Sequence, residues 1–204
     1  MPSPARPSPL GLAVLGLLCG GPLHPYRMQR LLKEWGKDQV INVGQRSSLY
    51  KTIDRLADSG LIAARHTERL SQYPERTVYE ITDDGRAVVL EWLTEMLSKH
   101  RNEYPSFPAA VSFAMLLGPE GTLSALRERL QTLEAIVAEL WDAIAQNSPG
   151  LPRVTLLETE YQLAVTEAEL VWVRDIVAEL ASGSLTWSYD DFAGAADAYL
   201  TDEA

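Results

Sequence analysis

One cysteine, three histidines and no apolar run long enough to cross a bilayer set the first limits on this chain of 204 residues. Cys19 has no intramolecular partner, so no disulfide staples the fold, and a lone thiol suits a reducing cytoplasm. Its neighbours are apolar, so it is expected as a small core residue, not a redox sensor. Residues 10–19 are too few for a span. Residues 1–9 hold Arg6 and several prolines without a convincing cleavage site after the apolar run, so they are expected to be a flexible arm, not a signal peptide. No His/Cys/Asp cluster has metal-ligand spacing. A Gly-rich phosphate loop, a serine elbow, a His-Glu-x-x-His pair and a thiolate motif are also missing. The expectation is therefore no enzyme, no catalytic residue, no cofactor and no metal. Glu158, Glu160, Glu167 and Glu169 come nearest to a carboxylate cluster, but only Glu160 and Glu167 share a helix face, as in a solvated surface. A basic amphipathic helix is lacking too, which excludes the usual membrane-surface anchor.

What is present is periodic. Leu10, Ala13, Val14, Leu17 and Leu18 share one face of a first helix, which Gly20-Gly21-Pro22 breaks. His24-Pro25-Tyr26 opens a second, with Pro25 in the first turn, where its missing amide costs nothing. After Asn42-Val43-Gly44 a third helix has its apolar positions at Leu49, Ile53, Leu56 and Ala57 and stops at Ser59-Gly60. Residues 61–67 and 76–81 then read as a hairpin around a polar, Pro-containing loop. Three short helices and a two-stranded basic wing make a winged helix-turn-helix, a DNA-reading module. A fourth helix starts at Thr82, whose hydroxyl can cap it, and Val88, Val89, Trp92, Leu93 and Met96 form its stripe.

Charge divides the chain in the same place. The total is 18 Lys+Arg against 28 Asp+Glu, a net of -10, which taken uniformly would repel phosphate. Residues 1–101 hold 14 basic and 11 acidic residues, a net of +3, and the rest hold 4 and 17, a net of -13. All three histidines also lie in the first part. The charge that suits DNA is confined to one domain.

The second half reads as helical. Residues 101–108, with two prolines, form a semi-rigid linker. A short apolar helix spans residues 109–117 and ends at Gly118-Pro119. Leu123, Leu126, Leu130, Leu133, Val137, Leu140 and Ile144 then alternate by three and four, a heptad seam that Ser148-Pro149-Gly150 stops. A long helix over residues 153–181 follows, with Leu156, Leu163, Leu170, Val173, Val177 and Leu180 on one side. Tyr161, Ala164, Ala168 and Val171 carry apolar surface toward a second face. Such a hairpin makes an intramolecular core, and its width implies that the seam is a dimer interface as well. Residues 183–204 mix aromatics with acids and are expected to pack on the helical domain. The fold class is thus mainly α: a winged helix-turn-helix over residues 10–100, then a helical dimerisation domain over residues 109–182.

The first hundred residues resemble the PadR family of bacterial transcription regulators. The resemblance rests on Leu12-Ala13-Val14-Leu15-Gly16-Leu17-Leu18, Pro22-Leu23-His24-Pro25-Tyr26, Ser48-Leu49-Tyr50, Arg55-Leu56 and Ser59-Gly60-Leu61-Ile62. It continues through residues 76–85, from Arg76 to Gly85, the strand-into-helix element that closes the wing. The chain departs at Pro25, where the family commonly has glycine, and at Gly44-Gln45-Arg46-Ser47-Ser48, which opens the third helix. The resemblance implies a homodimeric cytoplasmic repressor that binds a palindromic operator in double-stranded DNA. It also implies release by a small aromatic or drug-like effector, for which Trp92, Phe107, Trp141, Tyr161 and Trp172 are the candidate lining. With the apolar positions of the third helix inward, Ser47, Ser48, Lys51 and Arg55 point outward, Tyr50 lies on the flank and Arg46 at the helix start. His24 and Tyr26 complete the expected DNA contacts on the second helix, and Arg69, Gln72 and Arg76, with Arg65, on the wing. The rival reading is a winged-helix adaptor for protein contact, which has no reason to concentrate Arg46, Lys51, Arg55, Arg69 and Arg76 on one surface.

Overall fold

Ser8 opens the first helix in the computed structural model, which describes residues 6–44, 46–68, 76–188 and 191, without the side chains of Arg46, His66, Thr67, Glu68 and Arg76. The chain forms two units, residues 1–102 and 103–204. Helix α1 (Pro9–Cys19) begins with Pro9 in its first turn, and Ser8 Oγ accepts the Gly11 N–H at 3.1 Å. The arm expected over residues 1–9 is therefore shortened at its end by a helix cap. Val14, Leu15 and Leu18 are fully buried. Leu15, absent from the expected apolar face, is inward because α1 packs on several elements at once and so hides more than one stripe. Cys19, expected in the core, is exposed: it sits in the last turn, off that buried stripe.

Helix α2 (Pro25–Glu34) is capped by His24 and buries Pro25, Met28 and Leu32. A 3₁₀ turn (Lys37–Gln39), which sequence periodicity did not reveal, follows Gly36 at φ 66°. Helix α3 (Arg46–Asp58) then buries Leu49, Thr52, Ile53 and Leu56. Strands β1 (Ile62–Glu68) and β2 (Arg76–Ile81) pair antiparallel, with Ile62 opposite Ile81 and a bulge between Ala64 and His66. Leu23 adds a third backbone partner, exchanging 2.9 Å hydrogen bonds with Tyr79 in both directions.

Helix α4 (Asp83–Ser98) starts as expected. Thr82 Oγ1 accepts the Gly85 N–H at 3.0 Å and donates to the Gly60 carbonyl at 2.8 Å. Gly85 is obligatory here, because a Cβ would stand 2.1 Å from the Leu61 carbonyl oxygen. One core joins α1, α3, the sheet and α4, with Trp92 buried in it. Trp92 closes over Gly11, where a Cβ would meet its ring at 3.0 Å.

The second unit has helices α5 (Ser106–Val111), α6 (Gly118–Asn147) and α7 (Leu157–Ser182), with 3₁₀ turns at Ala114–Leu117 and Arg153–Thr155. Residues 106–108, expected in the linker, are helical. Gly118-Pro119, expected to end a helix, begins one: Gly118 takes φ 73° and Pro119 fits the first turn. The α6 seam turns toward α7 of the same chain. Leu126 and Leu133 form the core there with Leu170, Val173 and Leu180, and Leu123, Leu130 and Val137 pack at its edge. Leu140 and Ile144, farther along the seam, are half-buried. Leu185 and Trp187 also pack on this core, and Trp187 Nε1 donates to the Met115 carbonyl at 3.1 Å. The other aromatics of the expected tail, Tyr189, Phe192 and Tyr199, lie outside the described residues.

Among the described residues no helix is long and apolar enough to cross a membrane.

Candidate nucleic-acid interface

Burying Leu49, Ile53 and Leu56 fixes how α3 presents its other side. Ser47, Lys51, Asp54, Arg55 and Asp58 are exposed, and so is Tyr50. Ser48, expected to point outward, is half-buried, on the flank between the two faces. Arg46 is the first residue of the helix, but its side chain lies outside the described residues. The approach to α3 is braced. Gln29 Nε2 donates to the Val43 carbonyl at 3.1 Å, Val43 is buried, and Asn42 Oδ1 accepts the Gly44 N–H at 3.3 Å. Asn42-Val43-Gly44 thus acts as a side-chain-closed turn that sets where the helix starts.

The expected contacts have divided roles. His24 is half-buried, and its Nδ1 accepts the Tyr26 N–H at 3.0 Å, so this ring serves first as the cap of α2. Tyr26 is exposed beside it. Arg55 Nη2 lies 3.3 Å from Ser8 Oγ, which turns that guanidinium toward the start of α1. Arg65 pairs with Glu80 across the sheet at 3.7 Å, an exposed pair of small energetic weight. Arg69 and Gln72 lie outside the described residues, as does the side chain of Arg76. On the opposite flank of α3, the Tyr79 phenol is pushed up from its ordinary range, first by burial and then by the Asp54 carboxylate and Tyr50. Asp54 lies on that flank, and Lys51 and Arg55 lie on the outward face, which Asp58 shares at the helix end.

The aromatics named for an effector site do not come together as one lining. Trp92 belongs to the core of the first unit. Within the second unit Phe107 and Trp172 meet edge to face with centroids 5.9 Å apart, and the Arg129 guanidinium covers the Phe107 ring at 3.6 Å. Arg129 is also bonded to Glu169. Trp141 and Tyr161 are exposed, with Trp141 Nε1 donating to Glu167 at 3.1 Å. Among the described residues no group of three or more His, Cys, Asp or Glu side chains is placed to hold a metal.

Sequence reasoning missed the link between Ser8 and Arg55. A serine before a proline-led helix signals a cap, but nothing in its spacing signals a partner forty-seven positions later.

Residues 14–91 match the transcriptional regulator PadR-like family. Solved structures with the same architecture include PadR of Bacillus subtilis in complex with operator DNA, 22% identical, with a TM-score of 0.67 over 84% of this chain and 98% of that one. The same Bacillus subtilis protein in complex with p-coumaric acid is 21% identical, with a TM-score of 0.65 over 84% and 98% of the two chains. The virulence activator AphA of Vibrio cholerae is 20% identical, with a TM-score of 0.64 over 85% and 98%. None of the curated proteins matches this chain. Residues 14–91, the stretch from α1 into α4, thus match a family of transcriptional regulators, and the structures show the same fold.

Proposed function

We propose that this chain is a cytoplasmic, homodimeric transcription regulator that reads an operator in double-stranded DNA through α3 and acts as a repressor. The observation that carries the reading is α3 itself. Its apolar side is locked into the first core, its start is braced by Gln29 and Asn42, and Ser47 and Lys51 stand exposed in its first two turns. Residues near the start of the second helix of this motif reach base edges in the major groove, and flanking basic groups hold the phosphates. A relative of the same fold binds operator DNA. The proposed contacts also include Arg69, Gln72 and Arg76, with His24 and Tyr26 near the start of α2.

The dimer is supported by what the second unit leaves uncovered. Leu157, Tyr161, Val165, Val171 and Trp172 are exposed along α7, away from the stripe that packs on α6. An apolar face of this extent marks an association surface, and the seam from Leu123 to Ile144 is then the core that stiffens it. For the effector we propose a planar aromatic compound, as a relative of this fold binds p-coumaric acid. Phe107, Trp172, Trp141 and Tyr161 supply aromatic surface, and Trp92 has only an indirect part.

Lys51→Ala tests the reading. Gel-shift titration of the variant is expected to show weaker DNA binding at an unchanged unfolding midpoint. A base contact there costs about 1–3 kcal/mol on the preferred site only, whereas a phosphate contact lowers the salt slope by about one on every sequence. Affinity equal to that of the parent on all DNA removes α3 from the reading role and favours the adaptor.

A further inference from the structure

Arg55 does not hang free from α3. Its Nη2 lies 3.3 Å from Ser8 Oγ, the oxygen that also caps α1. This contact brings the start of the described chain beside the second half of the recognition helix. Arg6 is exposed two residues before Ser8, so its Cα stands within about 7 Å of that serine's even on a fully extended backbone. Lys51 is exposed one turn before Arg55 on the same flank. Of the helix's two carboxylates, Asp54 lies on the side of Tyr50 and Tyr79, and Asp58 is exposed at the helix end, one turn past Arg55. Among the described residues no carboxylate pairs with Arg6, Lys51 or Arg55. Three cations on two stretches of chain, Arg6 before α1 and Lys51 and Arg55 on α3, are therefore brought near one side of the reader.

We propose that Arg6, held beside α3 by the bond between Arg55 and Ser8, is a phosphate-contacting residue. It extends the DNA-binding surface past the recognition helix onto the backbone flanking the major-groove site. The inference rests on the DNA-binding reading above. The guanidinium contributes charge and a forked donor, which suit a phosphate oxygen and carry no base information. Arg55 takes part twice, as a cation near the duplex and as the anchor of the Arg6 segment.

The test is fluorescence anisotropy of the full chain on a labelled random-sequence duplex, titrated between 50 and 200 mM salt. Arg6→Gln is expected to lower the slope of log affinity against log salt by about one. Its affinity then falls about 3.5-fold less than the parent's across that range. Because Arg6 is exposed, the unfolding midpoint stays where it was. Arg55→Gln is expected to lower the slope by more than Arg6→Gln, since it removes one cation and releases the other. An unchanged slope for Arg6→Gln, with Lys51→Ala lowering it in the same assay, overturns the Arg6 contact and leaves DNA reading by α3 intact. A parent protein with no salt-dependent binding overturns both.

Discussion

The two units bury their apolar residues to very different degrees. In the first, Val14, Leu15, Met28 and Leu56 are completely buried, and Leu18, Leu49 and Ile53 nearly so, all in one core that also takes in Trp92. In the second, among the described residues, only Val173 reaches complete burial, and Tyr161 and Val154 remain 70% exposed. The charges diverge as well, a net of +3 over residues 1–101 against -13 over the rest. The first unit closes its core, although Leu90 and Leu97 on α4 stay 65% and 84% exposed. A unit with a narrow core, acidic edges and an uncovered apolar helix face is finished only when something apolar covers it. On the proposed reading, DNA contact falls to the first half and assembly to the second, and the halves differ in how completely their cores are buried.

The largest expected effect breaks the closed unit. Gly85→Ala forces a methyl group to 2.1 Å from the Leu61 carbonyl, at the junction where Thr82 bonds both Gly60 and Gly85. The backbone has to move, so the cost is expected to exceed the usual overpacking loss of about 1–3 kcal/mol. Urea unfolding of the full chain is expected to show a much lower midpoint, with DNA binding lost under conditions where the parent binds.

A pair of substitutions then separates the inner and outer faces of the second unit. Leu133→Ala removes a buried side chain from the core between α6 and α7 and is expected to cost about 2–5 kcal/mol. Val165→Asp, on the exposed face of α7, is expected to change the stability of the single chain by less than about 0.5 kcal/mol. It is nevertheless expected to convert the dimer to monomer in light scattering and to weaken operator binding by about a hundredfold through lost avidity. A Val165→Asp protein that stays dimeric moves the interface elsewhere on the unit.

The smallest effect sharpens the acidic side of the comparison. The Glu160 carboxyl is held below the usual carboxylate range, first by its hydrogen bonds from Arg153 and then by that guanidinium's charge. A depressed folded value means that its contribution is present above the unfolded value, about 4.3, and is lost as pH falls through the folded one. The parent's small excess in stability over Glu160→Gln is therefore expected at pH 6 and shrinks as pH falls below the unfolded value, as measured by thermal unfolding in low-charge buffers.

Much of the reader was legible because its signals are local. Pro25 in a first turn, the Thr82 cap and the spacing of Leu49, Ile53 and Leu56 each depend on a few neighbouring residues. What escaped depended on partners far along the chain. Leu15 is buried because α1 meets several elements, and Cys19 is exposed because it lies off the buried stripe, although its neighbour Leu18 is in the core. Trp92 looked available for a ligand, yet it fills the space above Gly11. In the second unit the heptad seam was plain, but a heptad does not say which helix covers it, and α7 of the same chain does. Arg55 carried the right charge at the right spacing, and only the fold showed that Ser8 holds it.

Selection of duplexes from a randomised library by the full-length protein tests the central claim most directly, because it reads recognition and assembly together. A dimer of winged helices reading through α3 is expected to enrich an inverted repeat. Its half-site centres should be separated by one helical turn, about 10–10.5 base pairs, or a multiple of it. Enrichment of a single half-site without a repeat contradicts the dimer, and no enrichment above the starting library contradicts DNA reading itself.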